Sequence, residues 1–515
     1  MIIRPGRNVW KETTAHAAGV LIDAEDYYRA FYRAAQSAQQ YVLMSGWQFD
    51  SGVALLRGKE AAEAGEVRFL KYLNGLCEQR PGLHVYILAW DFHLVFAAER
   101  QWMQRVIFHW MTNSRLRFRF DKAPIPGGSH HQKFVVVDGA LAFLGGMDVC
   151  ECRWDDRCHR AVNRWRTSRG KPVKPYHDVQ VYLAGGDAPA ALGALFVERW
   201  RRAGGAPLSL PPAARTGAGA VPTEGALALD PRRVALSRTD PQPGGETVSE
   251  VERLFVDAID AAECLIYVET QYFSSQRLYG ALVRRMRTAG RRRLEIVIIV
   301  NERAEALKEE VAVGLRQAKI LDGLRSAVGG TGHALGLYWS RCEGANETFQ
   351  ATYIHSKVMI VDDRFLTVGS ANFTNRSMGV DSELHASWET SSDAPGGPAL
   401  IRRIRRVRVS LVAEHGGLSG APAIRPLVAI PGLVRRLNAL TARPGARLQG
   451  HGPLTGTQAT VLQILDPQNL PFDPHAEIGD HGAGDEPADE ARPRLLAPLG
   501  APLRSAWRRL GRGRA

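Results

Sequence analysis

His131-Gln-Lys133-Phe-Val-Val-Val-Asp138 and His355-Ser-Lys357-Val-Met-Ile-Val-Asp362 share one pattern: His, one residue, Lys, four residues, Asp. The shift of 224 residues that superposes them also carries Phe31 onto Phe255, Ala34 onto Ala258, Phe49 onto Phe273 and Gly145 onto Gly369. Chance matching of small apolar residues does not place His, Lys, Asp and Gly together at one offset, so the chain reads as an internal duplication. In extended backbone, residues two apart share a face. Each segment therefore sets an imidazole beside an ammonium. Folding gives little reason for that pair, because a buried Lys is costly unless partnered. A phosphate gives a good one: Lys neutralises it, and His attacks it or donates a proton to it. His130 adjoins His131, but the offset pairs His131 with His355, and in a strand His130 points the other way.

Working outward, each copy reads as a helix (Asp26 to Gln39; Ser249 to Ala261), a short apolar strand (Tyr41 to Met44; Leu265 to Val268), another helix, a β-branched strand (Val85 to Leu88; Ile296 to Val300), then two strands around a tight turn at Asp138 or Asp362. Alternating helices and buried strands predict an α/β fold with two tandem lobes, each a mixed sheet flanked by helices. The expected boundaries are a first lobe at 1–205, a Pro/Gly/Ala-rich linker at 206–245, a second lobe at 246–420 and a low-complexity tail at 421–515 with little core of its own. The tail carries an acidic patch, Asp473 to Glu490, then an Arg-rich end, Arg492 to Arg514, with Leu503, Trp507 and Leu510 among the Arg.

The chain has 515 residues, 45% hydrophobic and 23% charged, which excludes wholesale disorder and fibrous repeats. No run reaches the ~18 apolar residues of a membrane span, and Met1 to Lys11 lacks the apolar segment of a secretory signal. The net charge of +13 favours anionic partners. Arg402 to Arg408 interleave with Ile401, Ile404 and Val407, the pattern of a helix with its apolar set inward and its Arg face in solvent. Six scattered Cys make no disulfide framework, and the spacing of Cys150, Cys152, Cys158 and His159 fits no common zinc pattern.

The duplicated H-x-K-x4-D resembles the signature of the phospholipase D superfamily, over most of residues 20–416. Further stretches resemble its eukaryotic-type branch: Phe143-Leu-Gly-Gly-Met-Asp148 with Arg153-Trp154-Asp155, Pro175-Tyr-His-Asp178, Tyr267-Val-Glu-Thr-Gln-Tyr-Phe273, and Tyr353 to Asn372 with Arg376-Ser377-Met378 and Asp381-Ser-Glu383. Thr270 departs from the pattern, where Asn is usual, and the amino-terminal membrane-targeting modules of the plant and animal enzymes are not seen.

The resemblance implies that a pseudo-twofold relates the lobes and that both share one site. His131 would be the nucleophile and His355 the acid/base, an order the symmetric motifs leave open. Lys133, Lys357 and Asn372, with Ser370 and Gly146, would hold the phosphate. Asp178 and Glu383 match positions that bond the ring nitrogen of each His. Asp148 takes the Asn position of the first copy, and as an acid it would anchor a neighbour instead of phosphate. Asp138 and Asp362 are read equally as turn residues or site residues.

The implied activity is hydrolysis of glycerophospholipids to phosphatidic acid and a free headgroup through a phosphohistidine, extending to transfer to another alcohol. No cofactor or metal is expected, because the Lys pair supplies the charge. Cardiolipin synthesis and metal-independent nuclease activity share the motif and stay as alternatives. The expected partners are a phospholipid and an anionic membrane surface met peripherally, not nucleic acid, with the chain a monomer. The expected location is the cytoplasm or the inner membrane face, with leaderless export a further route.

Overall fold

The computed structural model describes residues 1–91, 108, 112–213, 221–230, 232–303, 313–343 and 349–453. The acidic and Arg-rich stretches of the tail, with Leu503, Trp507 and Leu510, lie outside these.

The first sheet is built on β1 (Ala17–Ile22), β2 (Tyr41–Gly46), β3 (His84–Trp90), β4 (Leu116–Asp121), β5 (Phe134–Val137), β6 (Leu141–Gly145) and β7 (Val179–Ala184). The second is built on β8 (Val234–Asp240), β9 (Leu265–Glu269), β10 (Glu295–Ile299), β11 (Ala334–Glu343), β12 (Val358–Val361), β13 (Phe365–Gly369) and β14 (Glu383–Glu389). Their spatial orders are β1-β7-β6-β5-β2-β3-β4 and β8-β14-β13-β12-β9-β10-β11. The β2–β3–β4 pairs and the β9–β10–β11 pairs are parallel, and the other neighbours in these orders are antiparallel. Strand for strand, the two sheets have one topology.

The strands have no polar face because both faces are covered. In β5, Phe134 and Val136 enter a core shared by the two sheets, whereas Val135 and Val137 enter the first lobe's own core. In β12, Val358 and Ile360 enter the shared core, and Met359 and Val361 the second lobe's own. Helices α1 (Asp23–Ser37) and α2 (Phe69–Gln79) cover the outer face of the first sheet. Helices α3 (Ala188–Arg202) and α7 (Gly397–His415) feed the shared core. Helices α4 (Glu250–Ala261), α5 (Gln276–Arg287) and α6 (Leu315–Val328) cover the second sheet. Each fully buried aliphatic side chain contributes about 1.5–3 kcal/mol, so the lobes are joined by apolar burial well before any polar contact is counted.

Asp138 and Asp362 close the turns after β5 and β12 in the left-handed region, at φ 52° and 55°. The Asp138 carboxylate accepts the N–H groups of Gln39, Gln40 and Tyr41 at 2.7, 2.9 and 2.8 Å. That of Asp362 accepts those of Glu263, Cys264 and Leu265 at 2.9, 2.7 and 2.8 Å. Both carboxylates bind the backbone at the entry to β2 and β9, and that of Asp362 also accepts from Arg364 at 2.9 Å.

Three boundaries differ from the sequence reading. Residues 11–13, placed in the first lobe, pair with β8 of the second sheet, and the N–H groups of Ile2 and Ile3 donate to Glu389. The stretch 206–245, read as a linker, contains β8 and a strand at Leu227–Leu229 on the edge of the first sheet. Its Gly and Pro mask a short alternating run in which Val234 and Leu236 face the shared core and Ala235 the second lobe's core. The tail begins with folded chain: α8 (Leu433–Thr441) buries Leu433, Val434 and Leu437, and Leu448–Gly450 pairs with β11. Arg408 is also not on a solvent face. It is buried and grips Asp363 at 2.6 and 2.9 Å.

Candidate active site

The two His-x-Lys segments lie at the N-terminal ends of β5 and β12, the middle strands of their sheets, just before the ladders begin. The chain there crosses to the other lobe. His130 forms a parallel bridge with Ser382, and Tyr176–His177 pairs in parallel with Tyr353–Ile354. Accordingly the His131 N–H donates to the Ser382 carbonyl at 3.0 Å and the His355 N–H to the His177 carbonyl at 2.8 Å. The residue after each of those carbonyls is Glu383 or Asp178. Each imidazole is thus backed by the opposite lobe. His131 Nδ1 meets the Glu383 carboxylate at 3.0 and 3.1 Å, and His355 Nδ1 meets Asp178 at 2.6 Å. His130 turns away to Ser382 Oγ and the Lys122 carbonyl, both at 3.0 Å.

Gly146 and Ser370 occupy equivalent places behind these carboxylates. Ser370 Oγ donates to Glu383 at 2.5 Å. A Cβ on Gly146 would fall 2.1 Å from Asp178 Oδ1, so the first copy needs glycine for its carboxylate to fit. Both are placed behind the carboxylates, where they adjust the His partners.

The Lys side chains are almost wholly buried, at 2% exposure for Lys133 and 1% for Lys357. Lys133 Nζ donates to its own His131 carbonyl at 3.0 Å and stands 3.6 Å from Asp148; Lys357 Nζ donates to the His355 carbonyl and to Gln271 at 3.4 Å. Gln271 also receives the Asn372 amide at 3.2 Å. In the first copy Asp148 accepts the Trp47 N–H at 2.8 Å and lies 3.5 Å from Arg153. Arg153 Nη1 is 3.0 Å from His355 Nε2 and donates to Tyr176 at 2.7 Å. The sequence reading quoted Arg153 within a motif without giving it a role. The signal was there, since replacing Asn by Asp148 removes an amide donor and calls for a cation nearby. The rings of Tyr176 and Tyr353 flank His355 at 5.4 and 6.3 Å between centroids.

Burial depresses both imidazoles and both ammonium groups here, whereas the phenol and carboxylate neighbours of Arg153 hold its guanidinium up. His131 and Lys133 are lowered chiefly by desolvation, against the pull of Glu383 and Asp148. Desolvation, with Lys133 and Arg153 opposing Asp178, brings Lys357 down to about 7. Desolvation, Lys357 and Arg153 hold His355 well below the ordinary imidazole range. The carboxylates diverge. Burial raises Glu383, but His131 and the Ser370 and Ser377 hydroxyls outweigh it and hold it at about 2. Burial wins for Asp178, which is raised to about 7 against Lys357 and Arg153. Cationic neighbours add to burial in lowering His355 and Lys357, so an anion bound beside them would raise both.

Behind His355 lies a buried network that sequence reasoning missed. His177 bridges Glu269 at 3.0 Å and Glu414 at 2.7 Å; Ser356 Oγ donates to Glu269 at 2.6 Å, and His415 meets Glu269 at 3.1 Å. His159 spans Asp155 at 2.9 Å and Glu414 at 3.1 Å, joining this network and not Cys152 and Cys158, which are exposed. Among the described residues, Asp23, His159, His177 and Glu414 could hold a metal ion, as could His177, Glu269 and His415. Their atoms are already paired with one another. Asp23 and the Asp155 and Glu414 carboxylates overcome burial to raise His159 to about 9, so protonated imidazole balances the acids.

A duplicated α/β chain with two His-x-Lys segments facing across one lobe boundary is the class this fold and site define. Residues 255–394 match the family model described as "Cardiolipin synthase, PLD-like domain". The chain is 26% identical over 478 residues to phospholipase D A of Dictyostelium discoideum, covering 77% of this chain and 35% of that protein. It is 24% identical over 508 residues to phospholipase D alpha 4 of Arabidopsis thaliana, covering 77% and 64%. The chain thus spans from about a third to under two thirds of the length of these relatives. Its fold is similar to that of a phosphatidylserine synthase from Haemophilus influenzae, with a TM-score of 0.52 at 13% identity over 84% of this chain and 96% of that one. In sequence the chain is thus similar to phospholipases D of eukaryotes, and in its second half to a PLD-like domain. Among the described residues no helix is long and apolar enough to cross a membrane.

Proposed function

We propose that this chain is a phospholipase D-type phosphodiesterase acting on glycerophospholipids. The observation that carries the reading is the exchange of carboxylates. Each His of a duplicated His-x-Lys pair is held at Nδ1 by the other lobe, which orients Nε2 as the reacting atom beside buried ammonium groups. His131 Nε2 attacks phosphorus, and the bond from phosphorus to the headgroup oxygen breaks as His355 gives that oxygen a proton. His355 then takes a proton from water, whose oxygen displaces His131 and yields phosphatidic acid. An alcohol in place of water gives a transferred phosphatidyl group. Lys133, Lys357 and Arg153 surround the phosphate oxygens, and the phosphate charge offsets the cations that otherwise keep His355 unprotonated. The working place is the surface of an anionic membrane, met peripherally by a monomer.

A second reading, phosphatidyl transfer between two phosphatidylglycerol molecules to give cardiolipin, draws support from the description of the matching family model. One experiment separates the readings: a panel of phospholipids and single-stranded DNA incubated in EDTA, with product masses recorded. Phosphatidic acid and free headgroup from phosphatidylcholine or phosphatidylethanolamine is the expected result. Cardiolipin from phosphatidylglycerol alone would replace it with the second reading. Cut DNA beside intact lipid would overturn both in favour of a nuclease.

A further inference from the structure

We infer that residues 157–174 form an ordered docking arm that seats the proposed active site on an anionic lipid surface. The inference rests on the lipid reading above. From Arg157 to His177 the sequence holds Arg157, Arg160, Arg164, Arg166, Arg169, Lys171 and Lys174 and no Asp or Glu. The fold divides these cations into two sets. Arg166 is buried and grips Asp155 at 3.0 and 3.1 Å, and Arg157 holds Glu414 at 2.6 Å. These two fasten the arm to the body. Arg160, Arg164, Arg169 and Lys171 are exposed.

The arm is folded, not a loose basic tail. Thr167–Ser168 pairs with Lys171–Pro172 around Arg169 and Gly170, both at positive φ, the geometry of a tight hairpin. Glu151 accepts the Arg169 N–H at 2.7 Å from below, and Arg57 donates to the Trp165 carbonyl. Among these cations stand two of the large apolar side chains that the described surface exposes, Val162 at 78% and Trp165 at 38%. Arg164 lies over the Trp165 ring at 4.4 Å. Cations beside an exposed aliphatic and a Trp suit a headgroup and acyl boundary. A nucleic acid would use the cations and the Trp, but Val162 offers no stacking surface for a base.

The arm also ends at the site. Lys174 Nζ sits 4.7 Å over the ring of Tyr353, the Pro175 carbonyl accepts the Tyr353 N–H at 2.8 Å, and Tyr176 flanks His355. A bilayer held by Val162 and Trp165 would therefore present its phosphates to the rim of the cleft.

The test uses the full chain, with Arg160→Glu/Arg164→Glu/Lys171→Glu as one variant and Val162→Asp as a second. Vesicle co-sedimentation is measured on phosphatidylcholine alone and on phosphatidylcholine with phosphatidylglycerol. Turnover is measured on those vesicles and on a short-chain phosphatidylcholine kept monomeric. The parent should bind the anionic vesicles more tightly than the neutral ones. The charge reversal should weaken that binding by roughly 100-fold and Val162→Asp by roughly tenfold. Both variants should keep parental turnover of the monomeric lipid and a parental melting temperature. Parental vesicle binding by both variants would overturn the arm, as would an equal loss on vesicles and monomers, or parent binding to DNA but not to vesicles. If the parent turns over neither lipid, the enzymatic reading fails while sedimentation still judges the arm.

Discussion

The two halves of the site are built to one plan and differ at three equivalent positions. His131 is backed by Glu383 and Ser370 and His355 by Asp178 and Gly146, while Asn372 on the second copy, bonded to Gln271, is matched on the first by Asp148 with Arg153. On the first side the carboxylate accepts a hydroxyl and is held at about 2, so it stays anionic and would steady positive charge developing on His131. On the second side Gly146 brings no such hydroxyl, the carboxylate is raised to about 7, and burial, Lys357 and the Arg153 guanidinium hold the imidazole well below its ordinary range. The lesson is that shared topology fixes where the imidazoles stand, whereas the side chains around them give each a different electrostatic setting.

The comparison is broken most severely at the imidazoles. His131→Ala and His355→Ala should each lower phospholipid turnover at least about 10³-fold. If the halves are specialised as assigned, only His355→Ala will still accumulate a covalent phosphatidyl adduct from a lipid with an activated leaving group, read by intact-protein mass. The next effect exchanges the supporting residues. Gly146→Ser forces a Cβ into Asp178 and should cost about 10²-fold in kcat, whereas Ser370→Gly deletes one donor to Glu383 and should cost about tenfold.

Arg153→Gln removes a cation that lowers His355. Turnover should fall about tenfold, and the limb of the pH–rate profile belonging to the imidazole should move to higher pH, because removal of a positive neighbour favours the protonated ring. A limb that stays put would mean Arg153 does not set His355. The smallest contrast is at the turns. Asp138→Ala and Asp362→Ala each orphan three backbone N–H groups and should destabilise by about 3 kcal/mol alike in urea unfolding. Activity per folded molecule should be unchanged in both.

Much of this was legible in the chain. The offset between His131 and His355 revealed the duplication, and the sheets share one strand order. The resemblance pointed to Asp178 and Glu383 as the partners of the imidazoles. Which carboxylate serves which His was not legible, because it depends on a chain crossing between His177 and Ile354 that no local pattern encodes. Strand β8 was missed because Gly and Pro flank a seven-residue run whose burial comes from both lobes. The His177–Glu269–Glu414 network was missed for a related reason: His177 and Glu269 were quoted within separate motifs without roles, and Glu414 lies far along the chain in a helix.

The crossed carboxylates have a consequence for how such a protein can change. A half expressed alone would carry its imidazole without the carboxylate that backs it, so it would regain one only by pairing with a copy of itself, and the two sites would then be identical. Fusion of two halves into a single polypeptide lifts that constraint. Glu383 with Ser370 can then back one imidazole and Asp178 with Gly146 the other, a difference that two identical copies could not hold.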